Sequence, residues 1–143
     1  YRMTDIQAAL GLSQMIRLDI FVEKRHQIAL RYDNELSGLS IQTPWQNPNN
    51  YSSYHLYPIR IKQNERGKTQ QQVYDAMQGA DINVNLHYIP VYRQPYYEAM
   101  GFKMGYCPKA EQYYQEAISI PMYPKLTEIE QDKVIRVLQE VFA

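Results

Sequence analysis

Ile82-Asn83-Val84-Asn85-Leu86-His87-Tyr88 is the stretch on which the reading of the fold turns. Ile82, Val84, Leu86 and Tyr88 alternate with Asn83, Asn85 and His87, the period of two expected of a strand with one apolar face. Helical patterns lie on either side. Upstream, Thr69 can cap a helix running to about Gln78, with Val73, Ala76 and Met77 on one face and Gly79 as its stop. Downstream, Pro108 suits the first position of a helix that runs to about Ala117. Ile118 to Met122 then reads as a short strand. Thr127 caps a last helix, with Glu130 completing a capping box and Val134, Ile135, Leu138 and Val141 forming its apolar face. Alternation of this kind makes the chain α/β, with too few strands for a doubly wound sheet.

Outward from this centre the signals are mixed. Tyr54 to Ile61 reads as another strand, but Pro58 cannot donate to a ladder, so the strand is expected at a sheet edge or with a bulge. Thr43 to Asn50 is a loop, Asn64 to Lys68 a turn, and Pro90 and Pro95 bracket a second loop. Tyr96 to Met100 has room for one helical turn before Gly101. The first segment, Thr4 to about Leu36, has helical rather than alternating spacing, with Gln7 placed to complete a capping box on Thr4 and Gly38 as the stop. One helix of that length would be about 50 Å long at 1.5 Å per residue. That is too long for so small a body, so it is expected to connect two bodies: an interdomain helix over 1–37, then an α/β sheet domain over 38–143.

The chain has 143 residues, 15 basic and 15 acidic, and a net charge of zero with neutral histidines. That size allows one domain, and the balance argues against a nucleic-acid module, which concentrates basic residues on one face. No apolar run is long enough to span a bilayer, so no membrane association is expected, and no signal peptide is recognisable. Cys107 is the single cysteine, which excludes an internal disulfide and fits a reducing, cytoplasmic compartment. The chain begins at Tyr1 in helical sequence, as expected of a piece of a longer polypeptide.

Motifs for self-sufficient catalysis are missing. His26, His55 and His87 form no HxH or HxxxH pair, so no metal site is expected, and His26 among Lys24, Arg25 and Gln27 reads as part of a solvated face. Cys107 precedes Pro108 at a helix start, where a thiol pKa can fall, but no histidine partner is identifiable near it. The polar side chains that converge lie between Asn83 and Arg93. Asn83, Asn85 and His87 share one strand face, with Tyr88 beside them and Pro90 ending the strand. Amide, imidazole and phenol groups suit the hydroxyls and carbonyls of a sugar. An edge strand facing water has the same pattern, and the residues alone do not choose between the two. Arg93 could clamp a phosphate or carboxylate, and its ordinary reading is a surface ion pair.

Several runs together carry a resemblance. Tyr1-Arg2-Met3-Thr4-Asp5-Ile6-Gln7-Ala8-Ala9-Leu10-Gly11, His87-Tyr88-Ile89-Pro90-Val91, Gln94-Pro95-Tyr96-Tyr97 and Cys107-Pro108-Lys109-Ala110-Glu111, leading to Glu116-Ala117-Ile118-Ser119-Ile120-Pro121, resemble the C-terminal region of the DegT/StrS sugar aminotransferases. The resemblance spans the chain in order. It implies the small C-terminal domain of a fold type I enzyme dependent on pyridoxal 5'-phosphate: a long connecting helix, then a small, mostly antiparallel sheet with helices packed on it. It implies a parent that uses an amino donor, typically glutamate, to aminate the C4 ketone of a nucleotide-linked 6-deoxy sugar. The parent would be a homodimer with its site at the subunit boundary. The family's Schiff-base lysine lies upstream, and none of the seven lysines here has its context. The fragment is therefore expected to hold no covalent cofactor, to be inactive alone, and to expose apolar surface. By resemblance Asn85, His87 and Tyr88 touch the substrate, with Arg93 as a further candidate and no catalytic residue in this chain. A free-standing carbohydrate-binding or interaction module derived from such a domain is the alternative. A reading frame that continues upstream into a lysine-bearing domain would decide between them.

Overall fold

The computed structural model describes residues 2–62 and 67–143. Helices α1 (Asp5–Met15) and α2 (Leu18–Glu35) come first, then strands β1 (Ile41–Gln42) and β2 (Tyr57–Ile61) and helix α3 (Gln70–Gly79). A 3-10 turn at Val91–Arg93 and the short helix α4 (Pro95–Ala99) lead to α5 (Pro108–Glu116), β3 (Ala117–Ile120) and α6 (Glu128–Phe142). The expected turn at Asn64–Lys68 falls largely outside the described residues.

The three capping boxes form as their spacing requires. Thr4 with Gln7, Thr69 with Gln72 and Thr127 with Glu130 each exchange side-chain and backbone hydrogen bonds at the start of α1, α3 and α6. Glu130 Oε2 accepts from the Thr127 N–H and from its hydroxyl, both at 2.8 Å. The backbone bond, and after it the hydroxyl, hold the Glu130 carboxyl below the usual carboxylate range. Its contribution is therefore complete above the ordinary glutamate pKa of about 4.3 and is lost as pH falls through the lower folded value. Thr127→Ala should cost about 0.5–2 kcal/mol in chemical denaturation. Glu130→Gln should also destabilise at neutral pH. That difference from the wild type should close in acid. A difference independent of pH would show that the charge plays no part in the cap.

The expected single helix over 1–37 is interrupted. Ile16 keeps helical dihedrals, but Arg17 sits at φ −104°, ψ 2°, and its N–H bonds back to Gln14 at 3.0 Å, tightening the last turn of α1. Only the second half of the segment is anchored. α1 buries no residue, whereas α2 buries Ile28, Ala29 and Tyr32.

β1, β2 and β3 form an antiparallel sheet in that order, so β2 is central and the expectation of an edge is corrected. Pro58 is tolerated for a local reason. It lies opposite Ser119, whose N–H and C=O both bond to Asn85 on the far side of β3. The Pro58–Ser119 pair is thus a non-hydrogen-bonded one, and the proline nitrogen faces the side where β1 would lie. β1 is two residues long and pairs only with Ile61 and Arg60. At Pro58 the central strand has no ladder partner on that side among the described residues.

Tyr57, Ile59, Ile61, Ile118 and Ile120 form one face of the sheet and are buried against Tyr32, Leu36, Val73, Met77, Val134 and Leu138. Gln131, buried in α6, donates to the Ile28 carbonyl at 2.9 Å. Tyr57 donates to Asp33 Oδ1 at 2.5 Å, and burial, followed by that carboxylate, raises the phenol's pKa. Arg25 Nη1 lies 2.7, 3.0 and 3.0 Å from the carbonyls of Tyr54, His55 and Met122, tying α2 to the chain before β2 and after β3.

Candidate functional site

α3 ends in a Schellman cap. The Asp81 N–H bonds to Gln78 C=O and the Ile82 N–H to Met77 C=O, both at 2.9 Å. Asp81, at φ +55°, takes the left-handed position, so Gly79 is the last helical residue rather than the stop. Asp tolerates this conformation better than most residues with a side chain. Its consequence is downstream. The Ile82 N–H is spent on the helix cap and is lost to any ladder.

The expected strand over Ile82 to Tyr88 reduces to a single antiparallel bridge, Asn85 with Ser119 of β3. Asn85 N–H donates to Ser119 C=O at 3.1 Å, and Ser119 N–H donates to Asn85 C=O at 2.8 Å. The alternation survives without the strand. Ile82 and Val84 are buried, while Asn83 and Asn85 are exposed on the other side. That polar side lines an open groove of about 570 Å³ between the 81–85 segment, the chain after β3 and α6, with Ser119, Tyr123, Glu130 and Lys133 on its other walls.

His87 continues the same face. Its Nδ1 lies 2.8 Å from Ser119 Oγ, and the ring is half-buried. Tyr88 stands edge-on to that ring, with centroids 4.5 Å apart, and is exposed. Asn85 and His87 are thus brought together at Ser119, and Tyr88 joins them through the His87 ring. Arg93 is engaged elsewhere. Its Nε donates to Glu98 Oε1 at 2.9 Å, and that carboxylate is the main reason its pKa is raised. Next to it, Tyr92 donates to Glu111 Oε1 at 2.7 Å, and the same oxygen accepts from the Gly105 N–H at 2.7 Å. The Tyr92 hydroxyl, followed by the Gly105 N–H, lowers the Glu111 pKa. The surface-pair reading of Arg93 describes the structure.

Ser119 escaped the reading of the sequence, although one signal was there. It is the only polar residue of Ala117-Ile118-Ser119-Ile120, a strand buried throughout. His26 is a correction. It is half-buried rather than solvated, stacks on Tyr51 at 4.3 Å, meets Tyr54 edge-on, and bonds through Nε2 to Ser52 C=O at 2.7 Å. Cys107 is exposed at the start of α5. No cluster of metal-ligating side chains is present among the described residues, and no described helix is long and apolar enough to cross a membrane.

Comparison with known proteins gives a consistent result. The profile of the DegT/DnrJ/EryC1/StrS aminotransferase family matches residues 1–139. The spore coat polysaccharide biosynthesis protein SpsC of Bacillus subtilis is 32% identical over an alignment of 142 residues that covers 97% of this chain and 36% of SpsC. Among solved structures, the PMP-form of the putative sugar aminotransferase Spr1654 from Streptococcus pneumoniae superposes with a TM-score of 0.88 at 31% identity, covering 98% of this chain and 35% of that one. Helicobacter pylori PseC, an aminotransferase involved in the biosynthesis of pseudoaminic acid, superposes with a TM-score of 0.88 at 26% identity, covering 99% and 38%. The chain therefore spans little more than a third of the length of these relatives.

Proposed function

The chain belongs to the DegT/DnrJ/EryC1/StrS aminotransferase family, and from that premise we propose that it is the C-terminal part of an enzyme that aminates nucleotide-linked sugars. The observation that carries this reading is the likeness to Spr1654, which extends over 98% of the chain at 31% identity. The amino acceptor is the C4 ketone of a nucleotide-linked 4-keto-6-deoxy sugar, the donor is glutamate, and the product serves surface-glycan or flagellin sugar synthesis. Asn85, His87, Tyr88 and Pro90, followed by Gln94-Pro95-Tyr96, support a place near the pseudaminic acid branch, where PseC acts.

In this reading the small domain closes the sugar pocket. Asn85 and His87 hydrogen-bond the sugar, and Tyr88 offers an exposed phenol beside them. Arg93 joins only if its guanidinium is shared with Glu98, because a carboxylate already occupies its Nε. The parent is a cytoplasmic homodimer, and the apolar side chains on α1, among them Ile6, Leu10 and Met15, are covered there.

Pyridoxal phosphate is the group that supplies transamination chemistry in this reading, and this chain does not fit it. Of its lysines, Lys24, Lys62, Lys68, Lys103, Lys109 and Lys125 are exposed and Lys133 is half-buried. None is enclosed in a pocket where an amine would be desolvated and activated. No residue here is assigned to hold the cofactor, which belongs to the upstream part of the parent.

The test compares the 143-residue chain with the longer polypeptide encoded by the same reading frame. After incubation with pyridoxal phosphate and dialysis, the longer protein should keep a visible cofactor band and aminate a nucleotide-linked 4-keto-6-deoxy sugar in the presence of glutamate. The 143-residue chain should do neither. A band on the short chain that disappears on replacing one of its lysines would overturn the assignment, and so would a reading frame that starts at this segment.

A further inference from the structure

We propose that Ser119 is a positioning residue for His87, fixing the imidazole with its hydrogen on Nε2 so that it presents one hydrogen-bond donor to an acceptor oxygen of the bound sugar. The inference rests on the sugar-binding reading of this face and adds to it the sense of the hydrogen bond and the residue that sets it.

Ser119 is held from three directions. Its N–H and C=O are both bonded to Asn85, at 2.8 and 3.1 Å, and its hydroxyl oxygen lies 2.8 Å from His87 Nδ1. In an antiparallel hydrogen-bonded pair the two side chains stand on the same face. The residue two positions along is the diagonal neighbour, within reach of a long side chain. Asn85 and Ser119 are such a pair, and His87 is the diagonal neighbour. The backbone bridge therefore carries the ring to the hydroxyl.

Burial then decides which group donates. Ser119 is 6% exposed, and its hydroxyl makes no other hydrogen bond among the described residues. If Nδ1 carried the hydrogen and donated, the serine hydroxyl would need another acceptor for its own hydrogen, and among the described residues none lies within hydrogen-bond distance. An unmade donor of that kind is expensive, whereas an unused lone pair on a hydroxyl is tolerated. The hydroxyl therefore donates to Nδ1. A neutral imidazole accepting at Nδ1 carries its hydrogen on Nε2 and donates there. Nε2 has no hydrogen-bond partner among the described residues. The exposed amide of Asn85 on the same face can donate or accept, so His87 is the member whose role is restricted to donation. Carbonyl and hydroxyl oxygens of a sugar are matching acceptors.

The first test is nitrogen NMR of the 143-residue chain labelled at histidine, above the titration range of imidazole. The His87 ring should show a protonated Nε2 and an unprotonated, hydrogen-bonded Nδ1. Ser119→Ala should give a mixture of tautomers, and Ser119→Thr, which keeps the hydroxyl, should restore the single one. A wild-type ring protonated at Nδ1 overturns the proposal without any variant having to fold. The second test uses the full-length enzyme. Ser119→Ala should slow the sugar half-reaction at limiting sugar by about 3- to 10-fold, the worth of one hydrogen bond. It should leave the glutamate half-reaction alone, and Ser119→Thr should recover most of the loss. In the His87→Ala background Ser119→Ala should add nothing, and an undiminished further loss would show that Ser119 does not act through His87. If His87→Ala leaves the sugar step unchanged while the NMR result holds, it is the sugar-binding reading of this face that fails, not the tautomer.

Discussion

Ile59→Ala is expected to lower the unfolding free energy by about 2–5 kcal/mol, while Leu10→Ala changes it by no more than about 0.5 kcal/mol. Both remove the same kind of side chain from a regular element, and burial separates them. Ile59 is 0% exposed on the central strand, pairs with Ile118 of β3, and is covered by helices on that face. Truncation there loses transfer free energy and leaves a cavity that a sheet between two strands cannot collapse. Leu10 is 61% exposed on α1, a helix with no buried residue. Urea denaturation of the two variants, with equal m-values, measures the difference directly. A Leu10→Ala cost of several kcal/mol in the 143-residue chain would mean that α1 folds back onto the domain. If the face of α1 is covered in the longer parent, as proposed, the same substitution should become costly there.

His87→Ala in the full-length enzyme is expected to weaken the sugar half-reaction by about 1–3 kcal/mol, the usual cost of leaving a polar partner orphaned. The glutamate half-reaction should change much less, because a small donor does not extend to the sugar subsite. The placement of His87 motivates the asymmetry. It stands at the end of the Asn83–Asn85 face, anchored on one side by Ser119, with Tyr88 against its ring. Single-turnover rates measured separately for the two half-reactions give the answer. Equal losses in both, or a loss that follows the fall in melting temperature, would make His87 a structural residue whose task is to satisfy Ser119.

Much of this molecule was legible because its causes are local. In each capping box the partners lie three residues apart, so Thr4–Gln7 and Thr127–Glu130 could be read as pairs and form as pairs, and Thr69, read as a cap alone, gains Gln72 at the same spacing. Pro108 opens α5 for the same reason, since its fixed φ and missing N–H suit that position alone. The apolar face of α6 was also visible, and Val134, Ile135 and Leu138 are buried on it. The polar face of Asn83, Asn85 and His87 was visible as a pattern, because side-chain alternation needs only an extended backbone and no partner.

What the tertiary structure alone decided depends on where backbone donors and acceptors are spent. The alternation of Ile82 to Tyr88 does not reveal that Asn85 alone finds a ladder partner, Ser119 of β3, which leaves one bridge where a strand was expected. Pro58 does not reveal that β1 ends two residues before reaching it, which lets a proline sit in the central strand. The helical spacing of 4–36 does not show that only its second half has anything to pack against. Arg93 reads as a clamp or a surface charge until Glu98 is folded beside it, and Ser119 reads as an interruption in an apolar strand until His87 is laid across it. Each case turns on a partner distant in sequence or on a neighbour that stops short. Side-chain periodicity records which face is apolar, whereas a hydrogen bond can be assigned only once both of its ends have been placed.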